Sequence, residues 1–253
     1  MRENPVKRRL AAGEVVVGTM AWEMMTPAVF RIAEAAGAEF VLLDQEHPPW
    51  GLERVRDVVA AGRGTGVVPL VRVADAQYHL VSRILDAGAL GVMIPGCTGA
   101  AEAQAAVSWA KYPPLGIRGF GVPRYELEPE GLGATTAKAN DEQMVIVQIE
   151  TLAGLEEVEA ITRVDGVDLL WIGHFDLTAS LGIPGDFASS VFQSAVGRVL
   201  AAGEAAGKPV GLMVASVEDG RRFLELGFRC LAYGIDAQLY EDALRSGIAA
   251  LRG

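Results

Sequence analysis

Short apolar runs alternate with amphipathic stretches along almost the whole chain, and this alternation constrains the fold more than any other feature. The runs are continuous in Val, Ile, Leu and Met, as expected of strands covered on both faces. We predict strands over Val15–Met20, Phe40–Leu43, Val67–Val73, Gly91–Ile94, Val145–Ile149, Asp168–Ile172, Val210–Val214 and Cys230–Tyr233. We predict helices over Pro27–Ala36, Leu52–Arg63, Tyr78–Ala87, Ala100–Lys111, Gly154–Thr162, Ser190–Ala206, Val217–Leu226 and Ala237–Leu251.

This order favours an α/β fold of the (β/α)8 TIM-barrel type, and 253 residues is an ordinary length for such a barrel in a single domain. A doubly wound sheet is the alternative, but no G-x-G-x-x-G motif follows the first strand. Residues 112–141 form a Pro- and Gly-rich insertion that is too long for a routine connection. We expect it to be a lid or an arm toward a neighbouring subunit, the alternative being a tolerated surface insertion.

Composition narrows the class of protein. The net charge is −10 and no basic stripe is present, which disfavours nucleic-acid partners. The only cysteines, Cys97 and Cys230, are far apart, as in a reduced protein without a disulfide scaffold. No apolar run reaches the roughly 18 residues of a membrane helix, and no signal-like segment is seen. We therefore expect a cytoplasmic protein with no membrane partner.

Charged and polar residues gather where the predicted strands end, which is where a barrel of this kind carries its active site. Gln148 and Glu150 share one side of their strand because side chains alternate along it. The candidates are Asp44, Glu46, His47, Arg72, Gln148, Glu150 and Asp176.

Glu150 and Asp176 follow two neighbouring apolar runs. A carboxylate at the end of a buried strand is costly unless something pairs with it. Two such carboxylates would repel each other unless a cation lay between them, and this suits a hard divalent metal with positions open for substrate oxygens. The alternative is that they are separate surface residues, with Asp176 only capping a helix.

Each of the other candidates has both a functional and a purely structural interpretation. His47 follows two acids at the rim and is predicted to be catalytic, although a histidine in a Pro-rich loop can also be a surface residue. Arg72 suits an anionic substrate, or else is a buried partner for Glu46 or Glu150. Gln148 contacts substrate or only satisfies backbone groups inside the barrel.

Missing residues also narrow the chemistry. A Schiff-base aldolase needs a lysine inside the barrel, yet none of the lysines ends a predicted strand. No Gly-x-Ser-x-Gly elbow is present. Metal-assisted chemistry on an oxoacid is left. The lysines are Lys7, Lys111, Lys138 and Lys208.

The motifs DQEHPPW, VRV, LDAGALGVMIP, YPPLGIRGFG, QIET and GHFDLTASLG, met in this order between Gly18 and Tyr240, resemble the metal-dependent (class II) pyruvate aldolases of the HpcH/HpaI type. The resemblance implies a (β/α)8 barrel, a Mg²⁺, Mn²⁺ or Co²⁺ ion, and a homo-oligomer, a hexamer in which the last helix is exchanged between subunits. Residue roles carried over by motif follow: Glu150 and Asp176 are the metal ligands, His47 accepts a proton, Arg72 stabilises the enolate, Gln148 contacts the oxoacid, and the backbone of Phe175 and Asp176 holds its carboxylate.

The resemblance is less direct at Asp86 and at the pair His174-Phe175. Asp86 in LDAGA is implied to raise the basicity of the histidine, yet it precedes the fourth strand, at the opposite face, so it could act only from an adjacent subunit. Alternatively, Asp86 is an interface residue without a catalytic role. Asp44 is then the alternative partner of His47, or of a water on the metal. His174-Phe175 stand where many relatives have a small residue or Pro, so we expect a reshaped pocket floor.

Together these features predict a divalent-metal-dependent C–C lyase. It would reversibly cleave a 4-hydroxy-2-oxoacid into pyruvate, or hydroxypyruvate, and an aldehyde. One alternative is a CoA-ester lyase of the malyl-CoA or citryl-CoA type, which would need basic residues for a nucleotide. The other is a metal- or oxoacid-binding barrel without catalysis.

Overall fold

The computed structural model describes residues 1–253 and is a single-domain closed barrel of parallel strands in sequence order. Pairing of the first strand with the last closes the sheet, so the (β/α)8 prediction is confirmed. The strands are β1 (Val16–Ala21), β2 (Phe40–Asp44), β3 (Val68–Arg72), β4 (Gly91–Ile94), β5 (Met144–Ile149), β6 (Leu169–Ile172), β7 (Val210–Val214) and β8 (Cys230–Ile235).

Helices surround the barrel, and two single 3-10 turns lie at Gly62–Gly64 and Arg124–Glu126. The predicted helix Gly154–Thr162 is two short helices that meet at Glu157. The helices are α1 (Pro5–Ala11), α2 (Val29–Ala35), α3 (Leu52–Ala61), α4 (Tyr78–Asp86), α5 (Ala100–Ala110), α6 (Leu132–Glu142), α7 (Leu152–Glu156), α8 (Val158–Thr162), α9 (His174–Ser180), α10 (Ser190–Ala206), α11 (Val217–Leu226) and α12 (Asp236–Arg252).

Alternation along the strands separates two apolar layers. One set of side chains packs between the sheet and the helices, and the other fills the barrel interior. Val6 and Leu10 of α1 join the interior layer and close the amino end of the barrel. The carboxyl ends of the strands are left as the open end.

The insertion is partly helical, because α6 occupies its second half. Its first half lies on the outside of the barrel: Arg118 Nη2 is 2.6 Å from Asp86 Oδ1, and the Gly119 N–H donates to the Tyr78 hydroxyl at 3.0 Å. No residue of 112–141 lines the open end of its own barrel. The segment is therefore not a lid over its own site, and an arm toward a neighbouring subunit stays a prediction.

The last helix, α12, packs differently from the others. None of its residues is buried, and Tyr240, Leu244, Ile248 and Leu251 expose apolar side chains. No helix in the structure combines the length and the apolar character needed to cross a membrane.

Candidate active site

A cavity of about 370 Å³ opens at the carboxyl ends of the strands. It contains most of the residues that the sequence places there. Its lining residues are Met20, Trp22, Leu42, His47, Arg72, Met93, Gln148, Trp171, Ile172, Gly173, His174, Phe175, Asp176, Met213 and Ile235.

Arg72 is held by a buried ion pair. Asp44 and Arg72 are register partners on β2 and β3, and Nε and Nη2 of Arg72 donate to the two carboxylate oxygens of Asp44, each at 2.8 Å. The third nitrogen, Nη1, lies 3.1 Å from Oε2 of Glu46. A forked pair of this kind fixes the guanidinium plane. Asp44 is fully buried, and both of its oxygens accept hydrogen bonds from Arg72. Its role as a partner of His47 or of a water on the metal stays a prediction.

Glu150 is a buried carboxylate at the end of β5. Its Oε1 accepts the Gly96 N–H at 2.6 Å, and its Oε2 accepts a short hydrogen bond from Nε2 of Gln148. Burial raises the pKa of Glu150 to about 7, and the nearby charges of Glu46 and Asp176 add to the rise, although the Gly96 hydrogen bond opposes it. A cation beside this carboxylate would favour its charged form.

The residues around Glu150 fit a divalent cation. Oε1 of Gln148 is buried and has no hydrogen-bond partner. A side chain at Gly173 would collide with Glu150 Oε2 and Gln148 Nε2, so the glycine keeps this space open. Asp176 follows β6 in the first turn of α9 and is exposed to the same cavity. Oxygen donors are what hard divalent cations prefer.

No group of three or more His, Cys, Asp or Glu side chains has metal-binding geometry. An ion held only by the carboxylates of Glu150 and Asp176 would keep several coordination positions for a substrate and water, as catalytic metal sites do.

His47 lies at the rim and is 42% exposed. Its ring packs on Trp22 with centroids 5.0 Å apart, and its Nε2 is 4.0 Å from Oε2 of Glu46. Burial raises the pKa of Glu46, and the positive charge of Arg72 opposes the rise. Sequence reasoning assigned no role to Trp22. It gave Glu46 as an alternative partner of Arg72, and the 3.1 Å contact with Nη1 agrees with that alternative.

Of two further residues expected at the site, Phe175 lines the cavity and Asp86 does not. Phe175 is 57% exposed at the mouth of the cavity, next to Asp176. Asp86 ends α4 on the far side of the chain from His47 and is bound to Arg118. Within one chain it does not reach the cavity, so any role in catalysis requires a second subunit.

Comparisons with known proteins place the whole chain in one family. The family model described as HpcH/HpaI aldolase/citrate lyase matches residues 20–243. A hydroxypyruvate/pyruvate aldolase from Cupriavidus necator is 33% identical over 255 aligned residues, covering 98% of this chain and 93% of the relative. A 2-keto-3-deoxy-L-rhamnonate aldolase from Klebsiella pneumoniae is 32% identical, again covering 98% and 93%.

Solved structures give the same family. The crystal structure of an HpcH/HpaI aldolase from Desulfitobacterium hafniense superposes with a TM-score of 0.93 at 30% identity. It covers 99% of this chain and 97% of the solved one. The similarity therefore extends over the whole barrel and is not confined to the site.

Proposed function

This chain belongs to the HpcH/HpaI aldolase/citrate lyase family, and from that premise we propose that it reversibly cleaves a 4-hydroxy-2-oxoacid into pyruvate, or hydroxypyruvate, and an aldehyde. The chain is an aldolase and hence a lyase, as predicted. The observation that carries the proposal is the meeting of Arg72, Gln148 and Asp176 at one cavity, with Glu150 beside them.

Glu150 and Asp176 are the proposed ligands of a divalent ion, Mg²⁺, Mn²⁺ or Co²⁺. When bound, the ion supplies Lewis-acid polarisation of the oxoacid carbonyl. Gln148 contacts the oxoacid, and the backbone N–H groups of Phe175 and Asp176 hold its carboxylate.

His47 takes the proton of the 4-hydroxyl group of the oxoacid. The electron pair of that O–H bond forms the aldehyde C=O, and the C3–C4 bond breaks. Its electrons pass to C3 and on to the 2-oxo oxygen, giving the enolate. Nη1 of Arg72, which is not used by Asp44 and lies 3.1 Å from Glu46, donates to the oxygen where this charge develops. A proton returned to C3 yields the free oxoacid.

We also propose that the protein works as a homo-oligomer, a hexamer with α12 exchanged between subunits. The unburied apolar face of α12 supports exchange, as does a cavity of about 590 Å³ between α2, β1 and the start of α12. That cavity is mostly apolar and includes Val17, Met24 and Ile32. In such an assembly Asp86 acts on the site of its neighbour.

The CoA-ester alternative lacks a matching feature. Arg72 is the only lysine or arginine among the residues that line the cavity, and it is already paired with Asp44. A nucleotide would require further cations for its phosphates.

We place the protein in the cytoplasm, in keeping with two buried cysteines that are both free thiols.

The test is pyruvate release from a set of 4-hydroxy-2-oxoacids with Mg²⁺, Mn²⁺ or Co²⁺ added. We expect turnover that stops in EDTA and returns with the metal, and that is absent in E150Q. The exposed variant E156Q serves as the control. Full activity in EDTA, or turnover only of CoA esters, would overturn the proposal.

A further inference from the structure

Cleavage of the oxoacid requires two proton transfers, and His47 accounts for only one of them. It takes the proton of the 4-hydroxyl group, and C3 of the enolate must then receive a proton. The other titratable side chains at or beside the cavity are nearly all engaged. Asp44 has both oxygens on Arg72, His174 packs on Phe175 and Phe187, and Glu150 and Asp176 are the proposed metal ligands.

Glu46 is the remaining acid, and it lies next to both His47 and Arg72. Its Oε2 is 3.1 Å from Nη1 of Arg72 and 4.0 Å from Nε2 of His47. This oxygen is buried and accepts no hydrogen bond. The backbone N–H of Glu46 donates to Oδ1 of Asp44 at 3.0 Å, so the start of the residue is fixed while Oε2 is not.

Resting on the proposed function, we propose that Glu46 is a catalytic residue that carries the proton from His47 to C3 of the enolate. Nη1 of Arg72 has two N–H groups, so it can serve Glu46 and the enolate oxygen together. That oxygen is attached to C2, one bond away from C3. The carboxyl group of Glu46 therefore lies beside the carbon that needs the proton.

The proton follows a balanced route. Nε2 of His47 takes it from the 4-hydroxyl group as the C3–C4 bond breaks, and then passes it to Oε2 of Glu46. The gap of 4.0 Å must close by about 1 Å for this transfer. The O–H bond of Glu46 then breaks as the electron pair of the enolate forms the new C3–H bond. Both side chains return to their first state, and in the addition direction the carboxylate removes a C3 proton of pyruvate.

The surroundings of Glu46 suit a group that gains and then loses a proton. Burial raises the pKa of its carboxyl group, and the positive charge of Arg72 opposes the rise. The carboxyl group therefore accepts a proton more readily than one in water does. Arg72 keeps it acidic enough to release that proton again.

The experiment compares two readouts of the metal-loaded enzyme. Exchange of the C3 protons of pyruvate in D2O, followed by NMR, needs proton transfer at C3 and no aldehyde. Release of aldehyde in a single turnover, from the 4-hydroxy-2-oxoacid that the wild type cleaves fastest, needs C–C cleavage and no protonation of C3.

E46Q keeps an oxygen for Arg72 but cannot carry a proton. We expect exchange in E46Q to fall by about 10²-fold or more, the usual loss for an acid–base group, while aldehyde release stays within a few-fold of the wild type. E53Q, exposed on α3, is the control and should match the wild type in both readouts.

The two readouts separate a proton carrier from a residue that only holds Arg72. A loss of exchange that exceeds the loss of aldehyde release by roughly tenfold supports the proposal. A smaller difference overturns it, because another group then protonates C3 or Glu46 only organises the site. If the wild type cleaves no oxoacid, the proposed function falls and this inference with it. If E46Q does not fold, E46D and E46A replace it: exchange should be faster in E46D, which keeps a carboxyl group, and equal rates overturn the proposal.

Discussion

At the scale of single residues, the site depends on how Arg72 is held. Asp44 uses both of its oxygens on Nε and Nη2, which leaves Nη1 beside Glu46 at the cavity. Removing one partner of a buried ion pair commonly costs about 3–5 kcal/mol, because the other charge stays buried. In the proposed mechanism, this pair positions the guanidinium that stabilises the enolate.

Arg72→Lys tests this geometry. One ammonium cannot donate two parallel bonds to Asp44 and also reach the substrate, so we expect kcat to fall roughly 10²–10³-fold. Steady-state kinetics measure the change, with the exposed Arg56→Lys as control. A kcat near the wild-type value would show that the forked contact is unimportant.

His47→Ala tests the base. Loss of a positioned acid–base group lowers kcat by roughly 10²–10⁴-fold. Binding of Mn²⁺ should be unchanged, because Glu150 and Asp176 are the proposed ligands. The exposed His79→Ala on α4 is the matched control. Equal activity of the two variants would remove His47 from the mechanism.

At the scale of elements, the start of α12 holds the loop after β1. The Asp236 carboxylate accepts N–H groups of Trp22, Glu23 and Met24 at 3.1, 3.1 and 2.7 Å. Trp50 Nε1 donates to the Trp22 carbonyl at 2.8 Å. Trp22, which packs on the ring of the proposed base His47, is thereby held by a residue 214 positions later in the sequence.

Asp236→Asn should therefore affect catalysis through Trp22. An amide accepts fewer N–H groups than a carboxylate, so the loop that carries Trp22 should loosen. We expect kcat to fall by about tenfold, which is less than the roughly 10²-fold loss when a catalytic group is misplaced by about 1 Å. Near-ultraviolet circular dichroism should report the change at Trp22, with KM for the oxoacid nearly constant. Asp242→Asn, exposed on the same helix, is the control. Lower thermal stability with unchanged kcat would mean that Asp236 only stabilises the fold.

The elements differ in how well the sequence predicts them. The strands were predicted to within two residues because their apolar runs are continuous. α6 was missed because LGATTAKANDE has little apolar periodicity and buries only Thr135, Ala139 and Glu142. Its packing comes from tertiary contacts.

The site was predictable where it follows from position along a strand. Gln148 and Glu150 share a side, as the strand period requires, and their side chains are hydrogen bonded. The role of Asp44 depends on its register with Arg72, and that of Trp22 on contact with Asp236. Neither relation is local, so the sequence did not reveal them.

At the scale of the whole molecule, the proposed assembly depends on the apolar face of α12. A face carrying Leu244 and Ile248 with no partner inside the chain is expected to be covered by another subunit. The double variant L244E/I248E should yield a smaller particle in analytical ultracentrifugation, with helical content preserved. Glu241→Gln on the same helix should leave the assembly intact. An unchanged sedimentation coefficient in L244E/I248E would exclude exchange of this helix.

The central claim is that one divalent ion lies between Glu150 and Asp176 and meets the oxoacid there. Anomalous diffraction from a crystal grown with Mn²⁺ and pyruvate tests it most directly. We predict one strong peak at about 2.1 Å from a carboxylate oxygen of each residue, as is usual for hard cations with oxygen ligands. Pyruvate oxygens should complete the coordination. No peak, with the two carboxylates turned apart, would contradict the account.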